Sequence, residues 1–122
     1  MLFILLVAAH YVGDFLLQSH SMAINKCRDN AILAKHAGVY AATMTAAMAL
    51  YYLTDPTATM SIVAFGIVTF ALHFGQDYVT SRMNAEYWAA EDYRKFFLCL
   101  GFDQFMHYVL LYLTLRILGL AT

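Results

Sequence analysis

Four histidines and three aspartates in this 122-residue chain stand at repeating positions. His10 and Asp14 are four apart, as are His73 and Asp77; Asp103 and His107 repeat the spacing in reverse order, and His36 stands alone. Residues at i and i+4 share one helix face, one turn apart. Three helices would therefore each present a His–Asp pair. Neutral imidazole and carboxylate are ligands for zinc and other first-row divalent ions. Such an ion lowers the pKa of a bound water towards about 7 and stabilises charge on phosphoryl oxygens. His10, Asp14, His36, His73, Asp77, Asp103 and His107 are accordingly the candidate ligands of one or two divalent ions, zinc first among them. One of Asp14, Asp77 and Asp103 could instead serve as a general base. Two other chemistries use the same residues: a metal-free hydrogen-bonded network joining helices, and a proton or ion path through a membrane.

The elements that must position these residues follow from composition. Hydrophobic residues make up 62% of the chain and charged residues 12%, against about 25% charged in soluble domains. A soluble globule and a disordered chain are both disfavoured, and a net charge of −1 leaves no basic footprint for nucleic acid. Cys27 and Cys99 form neither a CxxC pair nor a disulfide framework. A small polytopic membrane protein remains: one all-α transmembrane domain over 1–122, a four-helix bundle. Its spanning segments are expected at about 1–18, 31–53, 59–80 and 95–120, each near the length a bilayer requires. Asp55-Pro56 punctuates the turn between the second and third. No Lys or Arg precedes the first apolar run, as a signal peptide would require, so that run is read as a spanning helix. Asn84 to Asp92 reads as a short interfacial helix on the cytoplasmic side. Gly38, Ala42 and Ala46 form a small-residue ladder for close helix packing.

Six of the seven basic residues, Lys26, Arg28, Lys35, Arg82, Arg94 and Lys95, fall on one side of these segments, and Arg116 on the other. The positive-inside rule makes that side cytoplasmic. The chain is then a multi-pass protein of the inner (cytoplasmic) membrane with both termini periplasmic, and Cys27 and Cys99 stay reduced. At about 1.5 Å per residue, all seven His and Asp residues lie in the cytoplasmic half. Three ionised aspartates at mid-membrane would cost roughly 8–10 kcal/mol on insertion scales, so something must compensate them. A metal ion does so most directly.

With these residues in hand, the chain resembles a family of small bacterial and phage membrane proteins classed as domain of unknown function 3307. The resemblance rests on His10, Asp14, Phe15 and Gln18 in an H-x3-D-F-x2-Q motif, Asn25-Lys26 after it, His36, His73 and Asp77 in H-x3-D, and Asp103, Gln104 and His107 in D-Q-x2-H. It implies a family and no activity. A looser analogy, in the helical H-x3-D pairs, is to the all-helical zinc phospholipases C and related nucleases.

Gln18, Gln104 and Tyr40 could orient ligands from behind. Lys26 and Lys95 are candidates for binding an anion, and His20 reads as a solvated loop residue. The leading expectation is a metal-dependent hydrolase acting on a phosphoester at the cytoplasmic leaflet, with the lipid bilayer and a phosphate-containing substrate as its partners. It should have a polar pocket between the first and fourth spanning helices, near Lys26 and Lys95. The alternatives are a non-enzymatic interaction or regulatory protein with a structural metal or polar cluster, and a divalent-metal or proton transporter.

Overall fold

A computed structural model describes residues 1–120, and these are all-helical, with no strand among them. Helix α1 spans Leu2–Tyr11 and continues as a π-helical turn over Val12–Leu16. A short α2 follows at His20–Asn25. Helix α3 spans Asn30–Tyr51, a 3-10 turn covers Pro56–Ala58, α4 spans Thr59–Ala89, and α5 spans Tyr93–Ile117. Helix α1 packs on α3, α3 on α4, and α4 on α5.

Local chemistry sets these boundaries. Ser19 and Asp29 cap α2 and α3 by accepting backbone N–H bonds, as N-cap oxygens do. Asp55 caps the 3-10 turn, with Pro56 in its first position. Helix α4 runs nine residues past the expected end near Thr80. Ser81 to Ala89 contains neither Gly nor Pro to break it, so the expected separate interfacial helix is instead the last part of α4. The break comes at Glu91, whose φ of 56° places it in the left-handed region. Asp92 N–H bonds to Tyr87 O and Glu91 N–H to Trp88 O, the paired bonds of a Schellman cap. Asp92 then starts α5, accepting from Lys95 N–H at 3.1 Å.

Two stretches, Pro56–Ala89 and Tyr93–Ile117, are long and apolar enough to cross a membrane, and Leu2–Leu16 is a shorter apolar helix. At ~1.5 Å per residue, the 31 residues of α4 extend well beyond a ~30 Å hydrocarbon layer.

Burial divides the bundle in two. One half holds an apolar core of Leu2, Leu6, Met44, Met48, Phe65 and Leu115. Its other half buries His10, Asp14, His36, His73, Asp77, Asp103 and His107. The surface is apolar: Ile67 and Phe70 on α4 and Phe102, Phe105 and Leu113 on α5 are all exposed. The small-residue ladder of α3 lies on this outside, with Ala42 and Ala46 exposed and open space where Gly38 would carry a side chain. Close approach occurs elsewhere. A Cβ on Gly13 would come within 3.2 Å of the Tyr40 ring and 3.3 Å of the Tyr40 Cα. Only glycine lets the π-helical turn of α1 lie this near α3.

Candidate metal centre

The site is assembled from four helices at one level. The π-helical turn brings Asp14 inward, the first third of α3 supplies His36, the middle of α4 supplies His73 and Asp77, and α5 supplies Asp103 and His107. Single π-helical turns frequently mark functional sites, and here one carries a buried carboxylate.

Asp14, His36, His73 and Asp77 form one group that could hold a metal ion. His36 Nε2 lies 3.0 Å from His73 Nε2, 3.1 Å from Asp14 Oδ1 and 3.3 Å from Asp77 Oδ2. His73 Nε2 lies 3.6 Å from Asp14 Oδ1 and 3.7 Å from Asp77 Oδ2. Tetrahedral zinc with bonds of about 2.0–2.2 Å has ligand–ligand edges of roughly 3.3–3.6 Å, and these five distances bracket that range. Two imidazole nitrogens 3.0 Å apart share at most one proton. At least one lone pair therefore points into this space together with two carboxylate oxygens. The donor set fits a divalent ion.

Asp77, Asp103 and His107 form a second such group, and it fits less well. His107 presents Nε2 to Asp77 Oδ1 at 3.7 Å and Nδ1 to Asp103 Oδ2 at 3.6 Å, so its two partners face different nitrogens. The Asp103 carboxylate is already engaged, by the Thr80 hydroxyl at 2.7 Å, the Gln76 amide at 3.0 Å and the Gln104 amide at 3.1 Å.

His10 belongs to neither group. Its Nδ1 meets the Tyr40 hydroxyl at 2.9 Å and its Nε2 meets Gln104 Oε1 at 2.8 Å, while Asp14 Oδ2 is 3.8 Å away. Gln104 also donates to Asp14 Oδ2 at 3.1 Å, so it ties His10, Asp14 and Asp103 together. Tyr40 stacks on the His73 ring at a centroid distance of 3.9 Å. His73 Nδ1 meets His107 Nε2 at 2.7 Å, and His107 Nδ1 meets the Asp103 carbonyl at 2.9 Å. These contacts fix ring orientation, as supporting shells around metal sites do. His36 Nδ1 is buried with no partner among the described residues.

The two lysines expected to bind an anion part company. Lys26, at the end of α2, reaches into the cluster and places Nζ 2.6 Å from Asp77 Oδ2 and 3.3 Å from His36 Nε2. Lys95 lies outside it, exposed and paired with Asp92 at 2.8 Å; its hydrogen bond holds the Asp92 carboxyl below the ordinary carboxylate range. His20 is exposed on α2. Both cysteines are free, and Cys27 lines the cavity described next.

A cavity of about 580 Å³ opens onto the cluster. Asp14, Asp77, Asp103, Lys26 and Gln104 form its floor, and its walls come from the end of α1, from α2, from the last third of α4 and from the start of α5. The pocket expected between the first and fourth spanning segments, near Lys26 and Lys95, is also walled by α2 and α4, and Lys95 does not line it. The sequence reading did not include Gln76 and Thr80, which bond Asp103. Their spacing was a usable signal, since both lie on the α4 face that carries His73 and Asp77.

A family model described as protein of unknown function (DUF3307) matches residues 2–121, and the chain belongs to that family. No curated protein and no solved structure matches it.

Proposed function

We propose that this DUF3307 protein is a membrane-embedded, metal-dependent hydrolase that acts on a phosphoester at the cytoplasmic leaflet. The observation that carries the reading is the convergence of two imidazole nitrogens and two carboxylate oxygens in one buried group, whose carboxylates, Asp14 and Asp77, line an open cavity. Asp14, His36, His73 and Asp77 would hold one divalent ion, with zinc favoured by the nitrogen and oxygen donors. Bound there, the ion supplies Lewis acidity to a water and to a phosphoryl oxygen.

The remaining residues have their own roles in this reading. Lys26, at the cavity floor with its side chain 15% exposed, would offer its positive charge to the phosphoryl oxygens. Asp103 stands beside the four-atom group, not in it, and its orientation is fixed by Thr80, Gln76 and Gln104. It is the carboxylate we assign as general base. It takes a proton from the water whose oxygen bonds phosphorus as the ester P–O bond breaks, and the leaving alkoxide takes a proton from solvent in the cavity. Elemental analysis of protein purified without added metal should find close to one divalent ion per chain, and that protein should hydrolyse 4-nitrophenyl phosphate or its bis ester. Metal-free protein that withstands reconstitution with zinc would remove the reading.

The four-span topology belongs to the same proposal. The exposed apolar faces of α4 and α5 suit lipid, because apolar patches of this extent are unusual on soluble monomers. By the positive-inside rule, the six basic residues on the cavity side support a cytoplasmic orientation for it. A phosphatase reporter fused after Thr122 should be active in the periplasm. Activity confined to the cytoplasm would invert the orientation and the leaflet.

One observation favours a second reading. Lys26 already brings a positive charge to Asp77, so the cluster could be a structural polar network in a regulatory protein. That reading predicts full stability without metal.

A further inference from the structure

The cavity has three zones, and they differ in chemistry. The floor carries the carboxylates and Lys26. Above it lie Gln18, Ser81 and Asn84, whose Oε1, Oγ and Oδ1 atoms are buried without a hydrogen-bond partner among the described residues. The outer wall is apolar, built from Ile24, Trp88, Phe96 and Leu100. The zones follow helix periodicity. Asp77, Ser81, Asn84 and Trp88 succeed one another at intervals of three or four along α4, and Asp103, Leu100 and Phe96 do so in the opposite sense along α5. The graded wall is therefore about 16 Å long at 1.5 Å per residue.

Buried polar atoms are nearly always hydrogen-bonded, and an unpaired one costs about 1–3 kcal/mol. Three of them belong to side chains that line one cavity, which marks it as the place where a ligand would supply the partners. A volume of about 580 Å³ lies within the range of pockets that enclose a drug-sized molecule. We infer that the cavity binds a hydroxylated amphiphile: a lipid phosphoester with its phosphoryl group at Lys26 and the metal centre, its hydroxyl groups against Gln18, Ser81 and Asn84, and its hydrocarbon along Trp88, Phe96 and Leu100. The assignment rests on the hydrolase reading only for the place of the phosphoryl group. Gln18, Ser81 and Asn84 are then specificity residues, selecting substrates that carry hydroxyls next to the phosphate.

Trp88 is the single tryptophan of the chain, so its fluorescence reports occupancy. Zinc-loaded protein in lipid nanodiscs would be titrated with dodecyl phosphate, glycerol 3-phosphate and dodecanoylglycerol 3-phosphate. Dodecanoylglycerol, without phosphate, sets the baseline for partition into the disc. The hydroxylated amphiphile should bind at least ten-fold more tightly than either fragment. The double variant Ser81→Ala/Asn84→Leu should erase its advantage over dodecyl phosphate while keeping zinc content and dodecyl phosphate affinity unchanged. Equal affinity for the hydroxylated and plain amphiphiles, glycerol 3-phosphate binding as tightly as the tailed probe, or no Trp88 response to any probe would each overturn the assignment. Preferential binding without hydrolysis would end the hydrolase reading and leave this one intact. Hydrolysis of 4-nitrophenyl phosphate with no preference for a tailed probe would do the reverse.

Discussion

Asp77→Asn should strip the protein of its metal and lower phosphoester turnover on the order of 10³-fold or more. Asp77 is the hub of the cluster: one carboxylate oxygen lies 2.6 Å from Lys26 Nζ and 3.3 Å from His36 Nε2, and the other lies 3.7 Å from His107 Nε2. The substitution nearly preserves shape and removes a charge. Metal-centred stabilisation of transition-state charge is worth several kcal/mol, and about 4 kcal/mol corresponds to 10³-fold in rate. Metal content by elemental analysis and turnover should fall together. Asp103→Asn should divide them, keeping the ion and losing turnover, because Asp103 stands outside the four-atom group. Asp92→Asn, which removes an exposed ion pair with Lys95 and keeps a side-chain oxygen to cap α5, should alter neither. An Asp77→Asn protein with a full complement of metal and normal rate would show that the four-atom group is not the site.

Removal of the ion should also lower the melting temperature in detergent by roughly ten degrees. A ligand at about 1,000 times its Kd adds about 4 kcal/mol to the folded state, and each kcal/mol shifts a domain of this size by a few degrees. The loss is tempered by Lys26. Three buried aspartates against one ammonium leave two negative charges in the metal-free cluster with neutral histidines, and without Lys26 they leave three. Lys26→Met should therefore make the protein more sensitive to chelator, with a larger drop in melting temperature than the parent shows. Parent and chelated protein melting together would favour the structural network.

Much of this was written in the sequence because buried polarity is so conspicuous in an apolar chain. Seven His and Asp residues at helical spacing pointed to one level of four helices, and the structure buries all seven together. The three long helices α3, α4 and α5 were legible for the same reason, whereas the first apolar stretch forms only the shorter α1 and its π-helical turn. Less legible were features that depend on tertiary distance. The π-helical turn around Asp14 has no period to announce it. Gly13 looked like any helix glycine, and its contact with Tyr40 decides the α1–α3 approach. The end of α4 was set by the left-handed conformation of Glu91, a position where glycine would have been the readable sign. Lys26 and Lys95 both read as basic loop residues that could bind an anion, and only Lys26, just past the end of α2, is carried over the cluster.

The division of the bundle into an apolar half and a polar half has an electrical consequence. In the proposed orientation most of the transmembrane voltage falls across the layer sealed by Leu6, Met44, Met48 and Phe65. In that orientation the proposed reacting groups would sit on the cytoplasmic side of that seal, where protons and phosphate would enter and leave by the same mouth. Each turnover would then carry no net charge through the field, whose leverage is about 2.3 kcal/mol per charge per 100 mV. A catalyst built this way would be indifferent to membrane potential and would work equally on energised and de-energised membranes.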